Sequence, residues 1–72
     1  MADRILVFAS VHQTFKAEEQ LNEVGYKFTV VPVPPYVNEG CGLGIKVEEK
    51  DFNKTESQLN RIGIRIIKNV LI

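Results

Sequence analysis

The 72-residue sequence predicts an α+β domain in which two β-α-β units share one sheet. Three observations point there. Hydrophobic spacing alternates between strand-like and helix-like stretches in the order β-α-β-β-α-β. Glycine or proline marks most of the joints. The length, finally, suits one hydrophobic core and not two, so residues 1–72 are expected to form a single domain. A hydrophobic content of 44% with 25% charged residues is ordinary for a folded chain and argues against disorder.

Arg4 to Ser10 is β-rich and apolar at both parities, which reads as a central strand covered on both faces. Ser10 precedes Gln13 by three residues, the spacing of a capping box, and starts the first helix. Thr14, Ala17, Leu21 and Val24 recur at helical spacing as its inward stripe, while Lys16, Glu18, Glu19, Gln20 and Glu23 face away. Gly25 is the left-handed stop. Tyr26 to Val33, aromatic and β-branched, is the second strand; Pro32 lacks an amide donor, so this strand belongs at an edge or ends there. A loop from Pro34 to Gly40 follows, stiffened by Pro34 and Pro35.

The third strand is expected over Cys41 to Glu48, with Cys41, Leu43, Ile45 and Val47 on one face and Gly42, Gly44 and Lys46 on the other. Phe52, Thr55, Leu59 and Ile62 form the stripe of a second helix between Asp51 and Gly63. Ile64 to Ile72 is the last strand. Two right-handed split crossovers then give a ferredoxin-like sandwich, with antiparallel strands in order 4-1-3-2 and both helices on one face.

Composition narrows the function classes. Nine basic and nine acidic residues cancel, so the chain lacks the charge footprint of a nucleic-acid or membrane-surface binder. The third strand also lacks aromatic platforms for stacking bases. A single cysteine cannot close an internal disulfide. The stretch Met1 to Ile5 has no cleavable signal pattern and no apolar run reaches membrane-spanning length, so the expected compartment is the reducing cytoplasm. One cysteine and one histidine are too few for a closed metal site in one chain, although two chains could pool theirs across a symmetric interface. Val31, Val33, Ile67 and Leu71 are expected opposite the helix-facing residues; left uncovered they would form an apolar patch, so a homodimer through the open sheet face is expected.

The candidate for chemistry is Cys41, within Gly40-Cys41-Gly42-Leu43-Gly44. A thiol between glycines has little cover from its neighbours and can be approached closely. Because the first and third strands are expected to be antiparallel neighbours, Cys41 should lie near Ser10, Val11 and His12 and point toward the amino end of the first helix. Partial positive charge and unpaired amides there favour a thiolate, and His12 adds a proton acceptor or, when protonated, a cation. Glu39, two residues away, opposes an anion if it points the same way.

Plainer readings stand beside each of these. A lone cysteine in a small domain is most often a buried small hydrophobe, a histidine near a helix start most often solvated, and Ser10 first of all an N-cap. The glycine triplet opens a strand, not a helix, so it is no phosphate loop; a flat, side-chain-free patch on the exposed sheet face is its expected role.

Phe8-Ala9-Ser10-Val11-His12, Lys16-Ala17-Glu18 with Leu21, Val31-Pro32-Val33-Pro34 and Cys41-Gly42-Leu43 together resemble the selenium/sulfur carrier protein-like family of short bacterial proteins. The resemblance spans nearly the whole chain. It implies that Cys41 is the carrier sulfur, with Gly42 its motif partner and Ser10 and His12 as a supporting patch. After the proline-valine-proline the family pattern usually has an arginine, which could hold an anion; this chain has Pro35.

Two functions follow as expectations. In the first, Cys41 takes a chalcogen from a donor persulfide or selenopersulfide and passes it to an acceptor protein, with no metal or organic cofactor, as a transfer partner more than an independent enzyme. In the second, the chain is a non-catalytic binding or regulatory module that dimerises through its sheet, with Cys41 structural.

Overall fold

A computed structural model describes residues 2–72; Met1, part of the expected domain span, lies outside the described residues. The strands are β1 (Asp3–Val7), β2 (Thr29–Pro32), β3 (Leu43–Glu48) and β4 (Lys68–Leu71), and the helices α1 (Val11–Val24) and α2 (Phe52–Arg61). A 3-10 turn over Glu49–Asp51 leads into α2. All four strands join one antiparallel sheet in the order β2-β3-β1-β4, the strand order predicted. Leu6 stands opposite Ile45 on one side and Asn69 on the other.

The helices form where local chemistry starts and stops them. Ser10, in extended backbone, accepts a hydrogen bond from the amide of Gln13 at 3.2 Å and so caps α1. Gly25, at φ 77°, ends it in the left-handed region. At the end of α2, the amide of Ile64 donates to the carbonyl of Leu59 at 3.0 Å as the chain turns through Gly63. Ala17 and Leu21 of α1 and Leu59 of α2 join one buried cluster with Leu6, Ile45 and Val47, so the two helices share the same side of the sheet.

Several boundaries differ from expectation. The regular part of β1 stops at Val7, because Phe8 and Ala9 already turn toward the cap at Ser10. Strands β2 and β4 are shorter than the apolar runs that contain them. Strand β3 begins at Leu43, not Cys41: Gly42 takes φ 88°, outside the extended region, and leaves Cys41 in a turn. Val24 and Ile62 continue the helical spacing but are 37% and 42% exposed, since each lies at the last turn or just past it. By register Leu71 pairs with Arg4, whose guanidinium stacks over Phe52 of α2, so Leu71 lies on the helix side and not on the open face.

The open face is partly closed by the chain itself. Glu39 reaches Lys68 at 3.6 Å, and since β3 and β4 flank β1, the loop before β3 crosses the carboxyl end of β1 as a strap. The amide of Val33 donates to Gly42 at 2.8 Å and ties its base. Nor is Gly44 a bare patch. It is buried, and a Cβ there would lie 2.7 Å from Cγ2 of Ile5 and 2.9 Å from the carbonyl oxygen of Leu6. The missing side chain lets Ile5 and Val33 close over the backbone.

Candidate functional site

Cys41 sits in the strap's last turn, between Gly40 at φ 82° and Gly42 at φ 88°. The two left-handed glycines fold the backbone back, so that Cys41 faces the start of α1. Its Sγ lies 3.6 Å from Oγ1 of Thr14 and 3.8 Å from the carbonyl oxygen of Leu43, within hydrogen-bond reach for sulfur. The residue is half-buried. On the outer side, a Cβ at Gly42 would meet nothing within 4 Å, so the turn is flanked by open space from which another molecule can approach.

Thr14 is fully buried on the inward stripe of α1. Its hydroxyl donates to the carbonyl of Ser10 at 3.1 Å, and its backbone amide reaches the same oxygen at 3.1 Å. Ser10 thus acts twice, capping Gln13 with its side chain and anchoring Thr14 with its carbonyl. The residue against the sulfur is therefore Thr14, one turn into the helix. The sequence offered a signal for it, the one hydroxyl on the stripe Thr14, Ala17, Leu21, Val24, but that spacing reads first as core.

The other singled-out residues fall around this contact. His12 is exposed in the first turn of α1, and among the described residues no hydrogen bond joins it to Cys41. Glu39 makes its ion pair with Lys68, at 3.6 Å, and among the described residues no hydrogen bond joins it to Cys41. Pro35 is exposed at the far bend of the strap, where the amide of Val37 donates to Pro34 at 3.0 Å.

A sequence profile described as "Putative Se/S carrier protein-like" matches residues 3–70. The chain belongs to this family. The match covers both helices, almost all of the sheet and the Cys41 turn. No curated protein and no solved structure matches the chain.

In this family member Cys41 is the sole thiol, so a dithiol cycle within one chain has no second sulfur. What the turn can do is hold one half-buried sulfur with a hydroxyl and a carbonyl within hydrogen-bond reach, beside the open space at Gly42. An open groove of about 640 Å³ lies at the other end of the sheet, lined by Asp3, Asn22, Tyr26, Phe28, Lys46 and Glu48 among others, and includes none of the residues singled out above. Among the described residues no helix is long and apolar enough to cross a membrane.

Proposed function

We propose that the chain carries sulfur or selenium on Cys41, as a persulfide or selenopersulfide, between a donor and an acceptor protein. Cys41 first gives its proton to solvent. The thiolate attacks the outer chalcogen of the donor persulfide; the donor's own bond to that atom breaks, the donor thiolate leaves, and a new bond forms to Cys41. The acceptor's nucleophile repeats the exchange, expelling the Cys41 thiolate. No net oxidation occurs and no metal or organic cofactor enters.

The observation that carries this reading is the setting of the one thiol: a turn between two left-handed glycines, open beyond Gly42 and backed by a buried hydroxyl. Membership of a family described by chalcogen carriage supports it. Ser10 contributes through Thr14, Gly42 by leaving the approach clear, and His12 as an exposed polar group beside the start of α1. The scaffold is read as a ferredoxin-like sandwich and the setting as a reducing cytoplasm, where a free thiol persists.

Incubation with a small persulfide donor tests the proposal. Intact mass should rise by one sulfur atom, the gain should be reversed by a reductant, and Cys41→Ser should take up nothing. No adduct on the folded wild-type chain would end the carrier reading.

A second reading keeps Cys41 as a packing residue in a homodimeric binding or regulatory module. What favours it is the sulfur's half-burial between Thr14 and the carbonyl of Leu43. On that reading Cys41→Ala lowers stability, the wild-type chain sediments as a dimer, and no sulfur is taken up. The strap and the Ile5–Gly44–Val33 contact already cover part of the open face, so any dimer contact must use what they leave.

A further inference from the structure

We propose that the hydroxyl of Thr14 is the hydrogen-bond donor that holds Cys41 when its sulfur carries charge, by turning its proton from the carbonyl of Ser10 to Sγ. The consequence for transfer rests on the carrier reading; the hydrogen bond itself does not.

In the thiol state the parts are already arranged. The Thr14 hydroxyl donates to Ser10 at 3.1 Å and keeps its lone pairs toward Sγ at 3.6 Å, so the one S–H proton can go to that hydroxyl or to the carbonyl of Leu43 at 3.8 Å. Once that proton is lost, the sulfur becomes an acceptor, and a carbonyl oxygen at 3.8 Å offers it nothing. The hydroxyl is the group within reach that can reverse its role. It leaves no orphan behind, because the Ser10 carbonyl keeps the backbone amide of Thr14 at 3.1 Å. Thr14 is fully buried, so water does not compete for the rotating proton. The proton changes partner and is not transferred; no bond order or oxidation state alters.

The same contact serves both halves of an exchange. When Cys41 attacks, the bond stabilises the attacking anion, and when an acceptor removes the outer sulfur, it stabilises the departing thiolate. Hydroxyl donation to Sγ is therefore worth more in the charged states than in the resting thiol.

The test compares wild type with Thr14→Val, which keeps the shape, and sets Thr14→Ser against Thr14→Ala, which differ from each other by the hydroxyl. Two rates are read at neutral pH on chains whose fold is checked by circular dichroism: alkylation of Cys41 by iodoacetamide, and release of sulfane sulfur from the loaded chain to cyanide as thiocyanate. Thr14→Val should slow alkylation roughly fivefold to fifteenfold, the strength of a hydrogen bond to a charged atom less the nucleophilicity such a bond removes. Release should slow in the same direction, and Thr14→Ser should react faster than Thr14→Ala. Should Thr14→Val fail to fold, the serine–alanine pair decides. Equal alkylation rates with and without the hydroxyl would overturn the inference. Failure of the wild-type chain to load any sulfur would instead overturn the carrier reading, while the alkylation rates still decide the role of Thr14.

Discussion

Gly40 packs its bare Cα against Val7: a Cβ there would lie 2.6 Å from Cγ1 of the valine and 2.7 Å from the carbonyl oxygen of Phe8. This contact seats the strap on the end of β1 and sets the height at which the next residue, Cys41, meets Thr14. Gly40→Ala must both hold a left-handed φ, at about 1–2 kcal/mol, and displace backbone that cannot swing aside. Gly42→Ala bears the first cost without the second, since open space surrounds that position. Denaturant unfolding should therefore rank Gly40→Ala as clearly more destabilising than Gly42→Ala; equal losses would mean that the seat on Val7 is not tight.

The ion pair between Glu39 and Lys68 secures the same strap more weakly. Its partners are about half exposed and 3.6 Å apart. Glu39→Gln should change stability by less than about 1 kcal/mol at low salt, and the difference should shrink as salt rises. Unfolding curves at two salt concentrations measure both.

Two fully buried threonines make opposite predictions. Oγ1 of Thr14 is hydrogen-bonded, whereas Oγ1 of Thr55 has no hydrogen-bond partner among the described residues. Thr55→Val removes an unsatisfied hydroxyl at constant shape and should leave the melting temperature unchanged or raised. Thr14→Val removes a satisfied one and should lower it, by about 1 kcal/mol of stability. A drop for Thr55→Val as large as that for Thr14→Val would show that its hydroxyl has found a partner.

Much of this was legible from residues acting locally. Ser10 with Gln13 announced the start of α1, and Gly25 its end, because caps depend on a few neighbouring atoms. The order of apolar runs led to the strand order, and from that to Cys41 lying against the start of α1. The path of the strap was not legible, since it depends on Gly40 meeting Val7 and Glu39 meeting Lys68, contacts between residues far apart in sequence that leave no periodic trace. By its spacing Thr14 reads as a core position, for a related reason. Spacing reports which way a side chain faces but not whether a sulfur from a distant loop will face it. Val24 and Ile62 kept the helical period past the edge of the surface beneath them.

At the opposite end of β1, Arg4 stacks over Phe52 at 4.8 Å and grips Glu49 through both forks, with its Nε 2.9 Å from Oε1. The hydrogen bond to Glu49 raises the arginine's pKa, with the carboxylate's charge adding to it and burial opposing. A raised value means that the folded state holds this proton more firmly. The contribution is then fully present below the ordinary arginine range and lost only as pH rises through the still higher folded value. Arg4→Gln should lower the melting temperature by the same amount at neutral and at mildly alkaline pH. A penalty that fades between those two conditions would contradict the assignment.

The claim that matters most is that Cys41 both accepts and gives up a chalcogen. The direct measurement is a single-turnover chase: load the chain from a persulfide donor carrying isotopically labelled sulfur, remove the donor, add an acceptor thiol, and follow the label by mass. A carrier thiol gives one labelled sulfur on wild type, none on Cys41→Ser, and the label's appearance on the acceptor as the chain returns to its starting mass. A chain that never gains the label, or gains it and cannot pass it on, is not a chalcogen carrier.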